Sequence, residues 1–199
     1  MDNDESKYET APISPGWIKR RVPSSYADDG LKRIVIFYVI NTPCTEISSS
    51  SIPITEYGWS KNVWKNDALK NVLLKVADLK RGDTFVVAKK TEDIKSSCEK
   101  AKLKKGFHQS RAMERVVFFK NKSNEFLSLF WHIRNSLAHG RLAMYPSSDG
   151  DIVFALEDGV KRNGYYYVRA RMILKKSTLL KWIDIIERGA IVQPEISKQ

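Results

Sequence analysis

Apolar residues recur along this chain with more than one spacing, and the changes of spacing predict its elements. Lys32 to Asn41 holds the unbroken run Ile34-Val35-Ile36-Phe37-Tyr38-Val39-Ile40. Its β-branched and aromatic content predicts a buried strand over 31–41. From Val63 the step lengthens. Val63, Leu69, Val72, Leu73, Val76 and Leu79 lie mostly three or four residues apart, which predicts a helix stopped at Lys80-Arg81-Gly82. Thr91-Glu92-Asp93 opens a second helix, with Ile94, Cys98 and Ala101, that ends by Gly106. Asp83 to Ala88, between the two, fits neither period. Ser110 is placed to cap a third helix with Met113, Val116 and Val117. Asn121-Lys122-Ser123-Asn124 then breaks the pattern, unless one long helix runs on to His139. The next helix spans about Asn124 to Ala138, so helices are expected over about 61–139.

After Gly140 the period shortens to two. Leu142 to Tyr145, Ile152 to Leu156 and Tyr165 to Leu174 alternate or run β-rich. Ser147-Ser148-Asp149-Gly150 and Asp158-Gly159…Asn163-Gly164 separate them, which predicts an antiparallel meander over 141–175. Ser177 then caps a last helix, 177–189, with Leu179, Leu180, Trp182, Ile183 and Ile186, closed by Gly189. Residues 1–30 carry several prolines and acids and read as an irregular arm that Trp17 and Ile18 pin to the body. Thr42 to Ser60 reads as loop. The expected organisation is this arm followed by a single domain over 31–199.

Composition narrows the class. The chain has 199 residues, 42% of them hydrophobic and 11% aromatic, which are globular values. Cys44 and Cys98 sit in no metal-binding spacing and read as free thiols of a reducing compartment. The acidic start Met1-Asp2-Asn3-Asp4-Glu5 is not a secretory leader, and the longest apolar run is too short to span a bilayer. A cytoplasmic protein without membrane contact is expected. Net charge is +11. Residues 61–122 hold 17 Lys/Arg against 7 Asp/Glu, a surplus of +10 (17 − 7). Such a surplus draws polyanions, or it is simply a set of solvated helix faces.

Candidate chemistry concentrates in Phe130-Trp131-His132-Ile133-Arg134-Asn135-Ser136-Leu137-Ala138-His139-Gly140-Arg141. At about 100° per residue, Phe126, Phe130, Ile133 and Leu137 form a core stripe. Leu127, Trp131, Arg134 and Ala138 adjoin it. Ser128, His132, Asn135 and His139 form a polar third stripe. A guanidinium stabilises a phosphate, and an imidazole moves protons near neutral pH, so Arg134 and His139 suit metal-free phosphodiester cleavage. The same residues have a plain structural reading: His139 interacts with the helix C-terminus, and Arg134 pairs on the surface. On one straight helix the two point about 140° apart. Either the helix unwinds at His139-Gly140, or Arg134 of one copy meets His139 of another. Leu127 and Trp131 beside Arg134 invite a second copy to cover them.

The segment resembles the R-x(4–6)-H signature of the HEPN superfamily, dimeric helical-bundle ribonucleases and nucleotide-binding domains, with Arg134, a polar residue at Asn135, and His139 in the matching places. The resemblance covers about Asn124 to Arg141. It implies an α+β fold here, a HEPN-like helical bundle with a small antiparallel sheet appended. It also implies a homodimeric, metal-independent endoribonuclease that leaves a 2′,3′-cyclic phosphate and a 5′-hydroxyl. His139 is then general base or acid, Arg134 the phosphate stabiliser, and Asn135 a hydrogen-bonder to either. Such domains serve as toxins or phage-defence effectors, with an antitoxin or regulatory protein as a further partner. Toxins of this kind that pair with a nucleotidyltransferase antitoxin often carry Tyr two residues after the His. Here that place holds Arg141, which argues against that mode and adds positive charge. The alternative is a non-catalytic module of the same family that binds nucleotide or nucleic acid, or dimerises.

Around this pair, His132 is either a second catalytic or substrate-binding group or the edge of the polar stripe. Lys102, Lys104, Lys105 and Arg141 are candidates to gather the RNA backbone. Glu114 and Glu125 could orient Arg134 or His139. Tyr165-Tyr166-Tyr167 with Arg169 and Arg171 could stack bases or pack within a sheet. No Gly-rich phosphate loop, HExxH or zinc set appears, so no cofactor or metal is expected.

Overall fold

The structure is a computed structural model and describes residues 17–18, 22–44, 48–65, 67–103 and 113–192. Its elements in chain order are α1 (Asp29–Val35), continued as a π-helical turn over Ile36–Ile40, then α2 (Ala68–Val76), β1 (Phe85–Ala88) and α3 (Ile94–Lys100). β2 (Arg115–Phe119), α4 (Glu125–Ala138), β3 (Leu142–Pro146), β4 (Ile152–Arg162), β5 (Tyr165–Lys175) and α5 (Lys176–Val192) follow. All five strands join one sheet in the order β1-β2-β5-β4-β3. β1 and β2 run parallel, and the other neighbours run antiparallel.

This architecture overturns the expected helical bundle with an appended meander. The sheet is the platform, and helices lie on both of its faces. Side-chain alternation sorts neighbours onto opposite faces. Val116, Phe118, Met144, Phe154, Leu156, Met172 and Leu174 pack in one cluster with residues of α1, α2, α4 and α5. Val117, Ala143, Val153, Ala155 and Ile173 pack in the other, with Ile94 and Cys98 of α3, Leu103 and Trp17.

Several sequence expectations change accordingly. The run Ile34–Ile40 is helical and not a strand. Asp28 caps it, its carboxylate accepting from the Leu31 N–H at 3.0 Å. Burial then follows the helical period: Ile34, Phe37 and Tyr38 are buried while Val35, Ile36 and Ile40 are exposed. The helix placed over Met113, Val116 and Val117 is strand β2, apolar from Val116 to Phe119 because both its faces are covered. Ser110, its supposed cap, lies outside the described residues. The ambiguous Asp83–Ala88 segment supplies β1. The helix expected from Val63 begins only at Ala68 and ends at Val76. Ser177 lies inside α5, which continues through Gly189 to Val192. Trp17 is buried against the sheet, its ring 4.9 Å from the Arg171 guanidinium.

The last helix ties the chain together. The Arg33 guanidinium meets both Asp184 and Glu187 at 2.7 Å. The Trp59 indole donates to the Ile186 carbonyl at 2.8 Å, and the Trp182 indole to Leu73 at 2.8 Å. The Tyr38 hydroxyl donates to the Leu179 carbonyl at 3.2 Å.

Candidate functional site

The motif helix α4 is defined at both ends. Asn124 caps it, its side-chain oxygen accepting from the N–H groups of Phe126 at 2.7 Å and Leu127 at 3.3 Å. Its start is fixed from outside as well, because the Asn124 amide donates to the Trp64 carbonyl at 2.8 Å. At the other end Gly140 adopts φ +62°, which a side chain would strain. The Gly140 N–H reaches the Leu137 carbonyl and the Arg141 N–H the Ser136 carbonyl, at 3.1 and 2.8 Å. These two bonds form a Schellman closure and leave His139 as the exposed cap residue.

The core stripe of α4 lies against the sheet and its neighbours: Phe126, Phe130 and Ile133 are fully buried, Leu137 half-buried. The polar stripe is buried over its first half, Ser128 and His132, and emerges through half-buried Asn135 to exposed His139. Ser128, His132 and Ser136 have no exposed surface. His132 therefore does not reach a substrate, which corrects its candidacy for binding or catalysis. Its ring bridges two partners. Nε2 donates to the Phe119 carbonyl at 2.8 Å, since a carbonyl can only accept. Nδ1 lies 2.6 Å from Oδ2 of Asp158, within hydrogen-bond distance. Asp158 is 3% exposed. Burying such a pair costs desolvation, and the close hydrogen-bonded geometry offsets that cost.

From this buried pair a chain of contacts runs to the surface. The Asn135 amide donates to the same Asp158 oxygen at 3.4 Å, and Arg134 Nη1 donates to the Asn135 side-chain oxygen at 3.2 Å. The Asn135 side chain thus links Arg134 to Asp158, while its carbonyl accepts from the His139 N–H at 3.0 Å. Arg134 Nε is buried and has no hydrogen-bond partner among the described residues. Its guanidinium is therefore held in place by one anchored partner while keeping donor capacity in reserve.

The remaining candidates fall elsewhere. Arg141 Nη1 donates to the Gly159 carbonyl, and its guanidinium lies 4.7 Å from the centre of the Tyr166 ring. Tyr166 packs with the Trp17 cluster, so Arg141 turns toward the sheet face opposite α4. Burial and the nearby Glu157 push the Tyr166 hydroxyl well above the usual tyrosine range. Lys102 is exposed at φ +59° beyond α3, which covers that same opposite face, so it does not join the Arg134–His139 group. Lys104 and Lys105 lie outside the described residues. Glu125 pairs with Arg81 at 2.6 Å, and Glu114 accepts from the Lys175 N–H and the Thr178 hydroxyl, so neither orients the motif. Trp131 is half-buried, with the Lys122 ammonium 4.1 Å from its ring centre.

Sequence reasoning missed Asp158, which it took as part of a turn. Asp158 lies inside β4, two residues beyond Leu156 and four beyond Phe154. A carboxylate on the buried parity of an apolar strand is the signal that could have found it. Beside it the register shifts. Asp158 pairs with Ala170 and Gly159 with Val168, which leaves Arg169 as the extra residue of a bulge. A side chain at Gly159 would stand 2.6 Å from both the Tyr166 hydroxyl and the Tyr167 carbonyl, so the bulge requires glycine there.

Among the described residues no helix is long and apolar enough to cross a membrane, and no group of three His, Cys, Asp or Glu side chains could hold a metal ion. Cys44 and Cys98 form no disulfide and are both buried, and burial pushes the Cys98 thiol up to about 12. Compared with protein-family models, curated proteins and solved structures, the chain matches none of them.

Proposed function

We propose that the chain is a metal-independent endoribonuclease whose chemistry is carried by Arg134 and His139. The observation that carries this reading is the contrast in how the two are held. Arg134 is fixed through Asn135 by a buried Asp158–His132 pair, and His139 stands exposed at the end of the same helix. A pre-oriented cation and an accessible imidazole are the two groups that transesterification of RNA needs. His139 takes the proton of the ribose 2′-hydroxyl, or returns one to the departing 5′-oxygen. Arg134 stabilises the negative charge that gathers on the phosphate oxygens. The products are a 2′,3′-cyclic phosphate and a 5′-hydroxyl. The Arg134–His139 spacing carries the resemblance to HEPN ribonucleases, and the sheet-centred fold plays no part in it.

Five residues apart on one helix, the two groups point about 140° from each other. A homodimer that brings Arg134 of one copy to His139 of the other completes the site. In this reading the cellular role is that of a toxin or defence effector acting on RNA in the cytoplasm. A second reading, a nucleic-acid-binding module without cleavage, is favoured by one observation: Arg134 already spends a donor on Asn135 within its own chain.

Incubating the purified chain with total RNA in EDTA, beside His139→Ala, separates the two. New 5′-hydroxyl ends from the wild type alone support the nuclease. RNA that is bound but intact supports the binding module. Activity lost in EDTA and restored by magnesium or manganese would sink the metal-free chemistry.

A further inference from the structure

Beyond the bulge the sheet narrows to a ribbon. β2 accompanies β5 only over residues 170–173, and β3 accompanies β4 only over 152–156. From Gly159 to Val168, β4 and β5 pair only with each other, closed by the two-residue turn Asn163-Gly164. Both turn residues have positive φ, 49° and 83°, which suits a tight hairpin whose twist matches its strands. The Arg141 contact to the Gly159 carbonyl anchors the ribbon at its base.

The ribbon's composition is one-sided. Residues 159–170 contain Lys161, Arg162 and Arg169, three tyrosines, and no Asp or Glu. Tyr165 is 66% exposed, a large ring left in solvent at the tip. Lys161 and Arg162 are exposed beside it. Cross-strand register sets Arg162 opposite Tyr165 and Val160 opposite Tyr167. On β4 these positions follow Asp158 by steps of two, so they share the face that Asp158 turns toward α4. That is the side of the sheet on which Arg134 and His139 lie. Isolated two-stranded ribbons gain little stability from burial, so an aromatic and cationic tip without acids points to a ligand more than to a core.

We propose that this ribbon is a grip for single-stranded RNA: Tyr165 stacks a base, and Lys161, Arg162 and Arg169 hold the neighbouring phosphates. The choice of RNA rests on the nuclease reading above. The fit of the site rests on its own chemistry. A base offers a π-face to Tyr165 whatever its identity, and a flexible backbone carries its phosphates to cations on both edges of the ribbon. A duplex hides the base faces that Tyr165 needs, so unpaired RNA is preferred.

The test is fluorescence anisotropy of a labelled single-stranded 2′-O-methyl RNA dodecamer, which lacks the attacking hydroxyl and survives the assay. The full chain is compared with Tyr165→Ala, Tyr165→Phe and Lys161→Ala, all at exposed positions and each checked by thermal melting. Tyr165→Ala should weaken binding about tenfold or more, while Tyr165→Phe, which keeps the ring, stays within about twofold of the wild type. Lys161→Ala should lower the slope of log affinity against log salt by about 0.7. Wild-type affinity in Tyr165→Ala, or a duplex RNA competing as well as the single strand, overturns the proposal. The two readings fail separately. Expected binding shifts with no cleavage of natural RNA by the wild type remove the nuclease and keep the ribbon. Wild-type cleavage together with an inert Tyr165→Ala removes the ribbon and keeps the nuclease.

Discussion

Two histidines stand seven residues apart on α4, on one stripe of the helix, and their surroundings differ completely. His132 has no exposed surface and both ring nitrogens are engaged, one by a carbonyl and one by Asp158. His139 is the exposed cap residue one turn past the last buried position. The difference teaches that the helix is divided along its length. Its middle is buried in the fold, and its C-terminal cap is exposed. Arg134 and Asn135 lie at the boundary and connect the two parts.

The largest expected effect breaks the comparison at its exposed end. His139→Ala should lower RNA cleavage by about 10²- to 10⁴-fold, the usual contribution of a positioned general acid or base. Its denaturant midpoint should barely move, because a surface truncation costs within about 0.5 kcal/mol. Cleavage at wild-type rate would place the chemistry elsewhere. At the buried end the pattern reverses. His132→Ala leaves Asp158 buried without its partner and should cost about 3–5 kcal/mol of stability, read from urea unfolding. A loss below about 1 kcal/mol would show that the pair is not sealed from water.

A double-mutant cycle sharpens the same contrast. His132→Ala with Asp158→Ala should cost less than the sum of the singles by about 1–3 kcal/mol, since the second change removes the orphan left by the first. Strict additivity would mean that the two side chains are not coupled. Gly159→Ala tests the bulge that carries Asp158. A new methyl group 2.6 Å from the Tyr167 carbonyl forces the ribbon to shift, at about 1–3 kcal/mol by thermal unfolding. An unchanged melting temperature would mean that the bulge yields freely.

The smallest effect compares a buried carboxylate with a half-buried one. Asp158 faces a histidine, whereas Glu114 accepts from the Lys175 N–H and the Thr178 hydroxyl. Burial is the main influence on Glu114 and raises its pKa above the ordinary 4.5, against the lowering effect of those hydrogen bonds. The folded state then holds the proton more tightly than the unfolded chain. Its contribution is fully present below about pH 4.5 and is lost as pH rises through the raised folded value. Glu114→Gln, which does not ionise, should show a flatter stability profile in that window. Parallel profiles for the two proteins would remove Glu114 from the pH dependence.

How much of this was legible in the sequence depended on whether period and burial told the same story. α4 was legible because Asn124 caps it, its apolar stripe keeps the helical step, and Gly140 ends it. β3, β4 and β5 were legible because β-rich runs are separated by the turn signals Ser147-Ser148-Asp149-Gly150 and Asn163-Gly164. Ile34–Ile40 misled because every residue in it is apolar, so the run shows no period; the informative residue was Asp28, six positions earlier. Val116-Val117-Phe118 misled for the opposite reason: a strand covered on both faces loses its alternation. At the site, Arg134, Asn135 and His139 stood out by residue type. Their support did not, because Asp158 comes from a strand more than twenty residues away and its importance depends on which parity of β4 faces α4.

The contacts of α5 carry a consequence for how the chain reaches this structure. Arg33 meets Glu187 across 154 residues, Tyr38 meets Leu179 across 141, and Trp59 meets Ile186 across 127. Closing loops of that length is entropically costly before any contact rewards it, and folding slows as partners lie farther apart along the chain. During synthesis Phe37 and Tyr38 can meet Tyr57 and Phe130 first, but the α5 partners of Arg33, Tyr38 and Trp59 come only later. The indole of Trp59 therefore waits for a segment 127 residues further along the chain before it finds its acceptor.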